Sequence, residues 1–477
     1  MKQLAIYFFL LILLSSCVCL PQHRTFHSFS PDGKTINNNN NHNTNNQENE
    51  NEKLSDKYFE QLIDHLTPET SPTFNQRYFV NDTFYESGSP VFLFLGGEGE
   101  LTSRWVRSGM IVDLAKEFGA LLVGLEHRYY GKSQPFTKFS VENLQYLSSN
   151  QALHDVANLK SKINETYTTS AWISFGCSYS GALSLWLRQK FPHIIDGAYS
   201  GSSPVLAKLN YLEYDSTCEQ SVGYSCLNYL QRAFLQIKKL MQSSDGYKQL
   251  SEMFNTCKPI TTEQEKLLFK YSVVDLIAYS TQYNLNILDF PRDKLCSNLA
   301  SAQDKLAEYV KMSNALAGNK CLSLNLDDLK STDTSPSNNM RPWWWQKATE
   351  FGYYKNTPQA SETFFPEIDS DFHNWIANQT FGHNISPNVD FTNLFYGGKD
   401  PDVSNVIISN GKYDPWSKLS ILQSKNQIIS DVYVSSGHCA PLYSVIKDGE
   451  KKTPEDVIMT IDNIRDFCKK IIQMNTK

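Results

Sequence analysis

The 477 residues predict an α/β fold, a mostly parallel sheet covered on both faces and interrupted by one large helical insertion. Three observations carry this. Short apolar runs alternate with helical stretches through the first half of the chain. One run ends in a small-residue turn with a serine at its apex. The alternation stops after Pro204 and resumes only near residue 405.

Each element follows from its residues. Pro90-Val91-Phe92-Leu93-Phe94-Leu95 is apolar without alternation, as a strand buried on both faces must be, and it ends in Gly96-Gly97-Glu98-Gly99-Glu100. Residues 110–118 read as a helix and residues 120–126 as a second strand. A helix near 150–163 leads to Trp172-Ile173-Ser174-Phe175-Gly176-Cys177-Ser178-Tyr179-Ser180-Gly181. A further helix stops near Pro192, and residues 194–200 supply another strand. Residues 210–339 read as mostly helical. Two late strands lie at 405–410 and 431–434, and a final helix near 454–473. The expected organisation is a leader at 1–19, a disordered segment at 20–55, core at 56–208, an inserted helical cap at 209–340, and core again at 341–477.

The turn at Ser178 is the centre of this arrangement. Strand, tight turn with serine, and helix make a nucleophile elbow, the device of α/β-hydrolases. A hydroxyl is a weak nucleophile until a base takes its proton, and the elbow lifts it above the sheet where a histidine can reach. The usual form is G-x-S-x-G. Here Ser180 holds the second glycine position and the glycine follows at Gly181. The partners come later in order. Asp414, in Asn410-Gly411-Lys412-Tyr413-Asp414-Pro415-Trp416, follows one late strand, and His438, in Ser435-Ser436-Gly437-His438-Cys439, follows the next. Serine, then acid, then histidine is the α/β-hydrolase order. His438 is the expected base and Asp414 its orienting acid. Taken singly, a turn aspartate before Pro415 and a loop histidine are ordinary. The backbone of Tyr179 and of the Gly97/Glu98 loop are the expected oxyanion donors. Glu98 also suits a substrate's amino group, or an ion pair with an arginine.

The ends and the composition set the context. Residues 4–14 are 11 consecutive apolar residues after Lys2, with small residues following, which reads as a secretory leader and falls short of a membrane span. No other stretch reaches that length. Residues 37–49 are mostly asparagine, with nothing to bury. A net charge of −6 and no basic tract exclude a nucleic-acid partner of the electrostatic kind. Eight of the ten cysteines lie beyond the leader, none in a CxxC spacing, so no metal is expected. Asn81, Asn164, Asn378 and Asn384 match the glycosylation rule and agree with a secreted or lysosomal, vesicle-lumen route.

These motifs resemble peptidase family S28, which contains lysosomal Pro-Xaa carboxypeptidase, dipeptidyl peptidase II and thymus-specific serine protease. The matching stretches are Gln61-Leu62-Ile63-Asp64-His65 with Phe74-Asn75-Gln76-Arg77-Tyr78, Gly96-Gly97-Glu98-Gly99, Leu125-Glu126-His127-Arg128-Tyr129-Tyr130-Gly131-Lys132-Ser133, Tyr146 to Leu153, the elbow, Trp345-Gln346 with Thr349-Glu350-Phe351-Gly352, and the Asp414 and His438 loops. The second and third look most like the thymus-specific branch. The resemblance implies an α/β-hydrolase core under a helical cap, and a cofactor-free peptidase, often cutting next to proline. It carries Ser178, Asp414 and His438 over as the triad, and leaves room for a homodimer. Trp345 and Trp416 are expected at the substrate. By the order of matching cysteines it implies Cys226–Cys296 and Cys257–Cys321, with Cys218 left unpaired because Ala348 stands where relatives have cysteine. Two further departures are Cys177 in place of the second elbow glycine and Cys439 directly after the base. Tyr443 stands near a basic position of the carboxypeptidase branch. An esterase or lipase of the same fold, or an inactive binding protein built on it, are the alternative readings.

Overall fold

The computed structural model describes residues 23–24, 54–284, 290–318, 320–382, 385–425, 427–443 and 453–475. The expected leader, nearly all of the asparagine-rich segment and Asn384 lie outside the described residues.

Eight strands form one sheet: β1 (Lys57–Leu62), β2 (Thr73–Asn81), β3 (Val91–Leu95), β4 (Leu121–Leu125), β5 (Trp172–Cys177), β6 (Gly197–Gly201), β7 (Ser404–Gly411) and β8 (Gln427–Tyr433). Their order is β8-β7-β6-β5-β3-β4-β2-β1. Strands β3 to β8 are mutually parallel, and β2 runs antiparallel to both of its neighbours. This is an α/β-hydrolase core. The two-strand antiparallel start was not among the expected elements.

The strand order has a direct consequence. After β3 the chain crosses outward to β4, then returns past β3 to β5. Strands β3 and β5 therefore lie side by side, with Phe94 opposite Phe175. Their carboxyl ends, the glycine-rich loop and the serine turn, meet where the strand order reverses, which is where such sheets bind ligands.

Helices cover both faces because β3 and β4 are buried along their whole length. On one face α1 (Met110–Phe118) and the last helix, Glu455–Asn475, bring Ile111, Leu114, Ile461 and Ile464 against Phe92, Phe175 and Ile407. On the other, α2 (Ser149–Asn164) and α3 (Tyr179–Lys190) pack Leu153, Val156 and Leu185 against Leu93 and Val123. Each such side chain stabilises by roughly 1.5–3 kcal/mol. Helix starts and stops follow the sequence. Ser148 accepts the Gln151 N–H at 3.2 Å as the N-cap of α2, and α1 ends at Gly119 in the left-handed conformation.

A long helical excursion separates β6 from β7. Between β6 and β7 the chain adds no strand to the described sheet, and helices at Ser370–Phe381 and Val389–Tyr396 follow the predicted limit of residue 340. A short parallel pair, Lys208–Asn210 with Gly352–Tyr354, lies where the chain leaves and returns. Within the excursion are α4 (Glu213–Leu240), broken at Gly223, α5 (Asp275–Gln282) and α6 (Met340–Gln346). Disulfides Cys226–Cys296 and Cys257–Cys321 tie it internally, with Cα–Cα separations of 5.2 and 4.9 Å. No helix among the described residues is long and apolar enough to cross a membrane.

Candidate active site

Ser178 sits at φ 60°, ψ −128°, in the left-handed half of backbone space that a side chain normally avoids. Its surroundings hold it there. The Ser178 N–H donates to Gly201 O at 2.9 Å, and its carbonyl accepts from Ala182 at 3.0 Å. Two glycines make the turn possible. A Cβ on Gly176 would lie 2.0 Å from Ser180 O, and one on Gly181 would lie 2.7 Å from Gly201 O. Ser180, in the place of the usual glycine, accepts the Cys177 N–H and donates to the Cys177 carbonyl, both at 2.9 Å. It thus clamps the turn from inside.

Asp414 and His438 are brought together from the ends of β7 and β8. His438 Nδ1 lies 2.6 Å from Asp414 Oδ2, and both side chains are buried. Asp414 Oδ1 accepts the Trp416 N–H at 3.0 Å, which fixes the carboxylate's rotation. With Nδ1–H donated to the carboxylate, the histidine's free lone pair is on Nε2. That atom is buried and has no hydrogen-bond partner among the described residues. The loop itself is held from the helical excursion. The His438 N–H donates to Gln282 O at 2.7 Å, at the end of α5, and the Tyr283 ring meets the imidazole edge-to-face at 6.0 Å.

A third disulfide, Cys177–Cys439, joins the residue before Ser178 to the residue after His438, with Cα atoms 5.9 Å apart. The sequence left both cysteines open. They and His438 also form a potential metal-ligand cluster by proximity, but sulfurs bonded to each other are not thiolate ligands. Cys218 and Cys468 are buried and unpaired.

The residue after the serine is anchored by side chains from two segments, the 126–130 run and α6. His127 Nδ1 lies 2.7 Å from the Arg128 carbonyl, and Nε2 lies 3.0 Å from Tyr179 Oη. Burial lowers the His127 pKa to about 4, so the ring is neutral. It donates from Nδ1 and accepts the tyrosine proton at Nε2. Tyr179 Oη accepts in turn from Gln346 Nε2 at 2.8 Å, and Gln346 Oε1 accepts from Tyr130 at 2.6 Å. The Glu126-His127-Arg128-Tyr129-Tyr130 run is thus scaffold. Glu126 accepts from Arg77, Ser133 and two backbone amides, and Arg128 pairs with Asp155. Gly97 packs on the elbow, since a Cβ there would lie 3.4 Å from Ser180 Cβ.

Ser178 and Tyr179 open into a cavity of about 330 Å³ also lined by Glu98, Trp343, Trp344 and Trp416. Trp345 does not line it. Three tryptophans in a row on a helix cannot share a face, and Trp345 packs edge-to-face on Phe381 instead. Trp343 and Trp344 line the cavity in its place. Gln346 lay in a stretch that matches the family, but with no role attached to it, and Gln282 carried no signal in the sequence beyond its polarity. Of the glycosylation candidates, Asn164 is exposed and Asn378 half-buried. Asn81 is buried. Its Nδ2 donates to Val106 O at 2.7 Å and its Oδ1 accepts from Thr83, so the folded chain closes that site.

Two buried acids, Asp215 and Glu350, are expected to make stability depend on pH. Burial raises Asp215 to about 7 against the bond from Thr357, and raises Glu350 to about 7 against bonds from Ser149 and Gln346. Both folded values exceed the unfolded ones near 4, so the native state holds extra protons between about pH 4 and 7 and loses that stabilisation as pH rises through this window. The thermal midpoint is expected to be higher at pH 5 than at pH 7, and Asp215→Asn to reduce the difference. A midpoint that rises from pH 5 to 7 in both proteins would contradict this.

Fold and relatives together define a serine-type peptidase on an α/β-hydrolase core. The model of the serine carboxypeptidase S28 family matches residues 61–453, and the chain belongs to that family. It is 30% identical to the thymus-specific serine protease of Homo sapiens over 415 residues, 80% of each chain. It is 30% identical to the lysosomal Pro-X carboxypeptidase of Mus musculus over 398 residues, 76% of this chain and 79% of that one. Among solved structures, a proline iminopeptidase of Mycobacterium smegmatis matches with a TM-score of 0.40 at 12% identity, covering 88% of this chain and 99% of that one.

Proposed function

We propose that the chain is a secreted or lysosomal serine exopeptidase that works through Ser178, His438 and Asp414. The observation that carries this is the buried His438–Asp414 bond beside an elbow serine, with the two loops cross-linked at Cys177–Cys439. In this reading His438 Nε2 takes the Ser178 proton as Oγ attacks the scissile carbonyl. The oxyanion is met by the N–H groups of Tyr179 and of the Gly97/Glu98 loop. His438 then passes the proton to the leaving amine, the acyl-enzyme forms, and water releases it by the same steps. Asp414 keeps the histidine in the tautomer that accepts at Nε2 and stabilises the imidazolium.

The exopeptidase reading is supported by the cap. Tyr214, Asp275 and Trp344 from the helical excursion line the cavity over Ser178, which suits a chain end better than the middle of a folded protein. Glu98 on the same wall suits an amino terminus. Purified protein offered free, amino-blocked and carboxyl-blocked peptides, including proline-containing ones, should release residues from one end only. Ser178→Ala should lose turnover by several orders of magnitude and lose labelling by a fluorophosphonate. Near-normal turnover in that variant would end the proposal.

A further inference from the structure

The cavity holds two lysines that the catalytic scheme does not use. Lys347 follows α6 and is buried, with its ammonium 4.0 Å from the centre of the Trp344 ring. Lys355 follows the Gly352–Tyr354 strand, its ammonium 3.9 Å from the Tyr214 ring centre and 5.2 Å from that of Trp416. Both line the same cavity as Ser178. Neither makes a salt bridge or hydrogen bond with a described carboxylate. The charges of Asp275, Asp215 and Asp414 favour the Lys355 ammonium through space.

This arrangement is costly without a ligand. An ammonium taken out of water needs an anion or several acceptors, and ring faces replace only part of its hydration. Burial lowers Lys347 to about 7, with the charge of Lys355 pushing the same way, and burial lowers Lys355 to about 8. Two cations that disfavour each other in one cavity are both satisfied by an anion placed between them. Glu98, Glu100 and Asp275 on the other walls weigh against a polyanion and favour a ligand of mixed charge. A peptide is such a ligand.

We infer that Lys347 and Lys355 form a carboxylate-binding subsite, so that the preferred peptides of this enzyme place a carboxylate, from an acidic side chain or from the chain's own end, between the two ammonium groups. The inference rests on the peptidase reading for what the ligand is. It is independent of that reading in what binds it.

The test uses matched peptides, one pair differing as carboxyl-terminal acid against amide, another as internal Glu against Gln. They are assayed at pH 6, where both lysines are protonated, on the full chain and on Lys347→Met and Lys355→Met, which keep side-chain length. Binding of the same peptides to Ser178→Ala is measured by calorimetry. One pair should show a preference of about tenfold or more for the carboxylate, the usual effect of a charge-assisted bond, and each methionine variant should bring that ratio toward one. Loss in the acid/amide pair assigns the chain end, and loss in the Glu/Gln pair a side chain. Equal treatment of both pairs by the unaltered chain, or a ratio unchanged in both variants, overturns the inference. Calorimetric preference without turnover of any peptide would retain the subsite and reject the peptidase scheme. Fluorophosphonate labelling of Ser178 checks that each variant is folded at the site.

Discussion

Replacing Asp414 by asparagine is expected to lower kcat on any cleaved peptide by about 10⁴-fold, with the fold intact. The substitution keeps size, and an amide oxygen can still accept the Trp416 N–H that now bonds to Oδ1. What changes is the group facing His438. At 2.6 Å, the carboxylate oxygen accepts from Nδ1–H. An amide nitrogen in that place donates, and the histidine answers by moving its proton to Nε2. The ring then has no lone pair toward Ser178 and no neighbouring charge to stabilise its protonated form. Steady-state kinetics with a thermal midpoint on the same sample decides the matter. A kcat within tenfold of the unaltered enzyme would mean that Asp414 is a turn residue only.

Gly176→Ala is expected to be nearly as damaging, for a steric reason. The new methyl would lie 2.0 Å from Ser180 O, 2.4 Å from Ser180 C and 2.8 Å from Gly181 N. All three are backbone atoms of the first turn of α3, so no side chain can move aside. Relief requires the helix to shift by an ångström or more. Overpacking of this kind costs about 1–3 kcal/mol or more. A displacement of that size at the reacting atoms costs on the order of 10²-fold in rate. The expected result is a folded but destabilised protein with slow fluorophosphonate labelling. Gly223→Ala, where a Cβ meets nothing within 4 Å, is the control for simple glycine loss, although its positive φ adds some strain of its own. Normal labelling in Gly176→Ala would show that the elbow has more freedom than its geometry implies.

Much of this site was legible before folding because it lies on regular elements. Buried parallel strands announce themselves as apolar runs, and residues at their carboxyl ends converge by topology, so the elbow at Ser178 and the Asp414–His438 pair could be expected from order alone. Other features depend on what only the folded chain decides. Whether Trp343, Trp344 or Trp345 faces the cavity is a question of helix phase. The pairing of Cys177 with Cys439 joins positions 262 apart, which no local pattern encodes. Asn81 satisfies the glycosylation rule in sequence and is closed by a carbonyl from Val106. Lys347 and Lys355 carry no mark in the sequence, and only the fold brings both to the cavity of Ser178.

The Cys177–Cys439 bridge also changes the covalent topology of the molecule. It closes a ring that contains the whole helical excursion, with the Cys226–Cys296 and Cys257–Cys321 rings nested inside it. A protease that cuts once between residues 202 and 403 therefore opens the ring without releasing a fragment. The piece carrying the serine and the piece carrying the histidine stay tethered one residue from each. A matured two-chain form would migrate as one species without reductant and as two with it. Its reacting groups would keep their mutual placement through the cut.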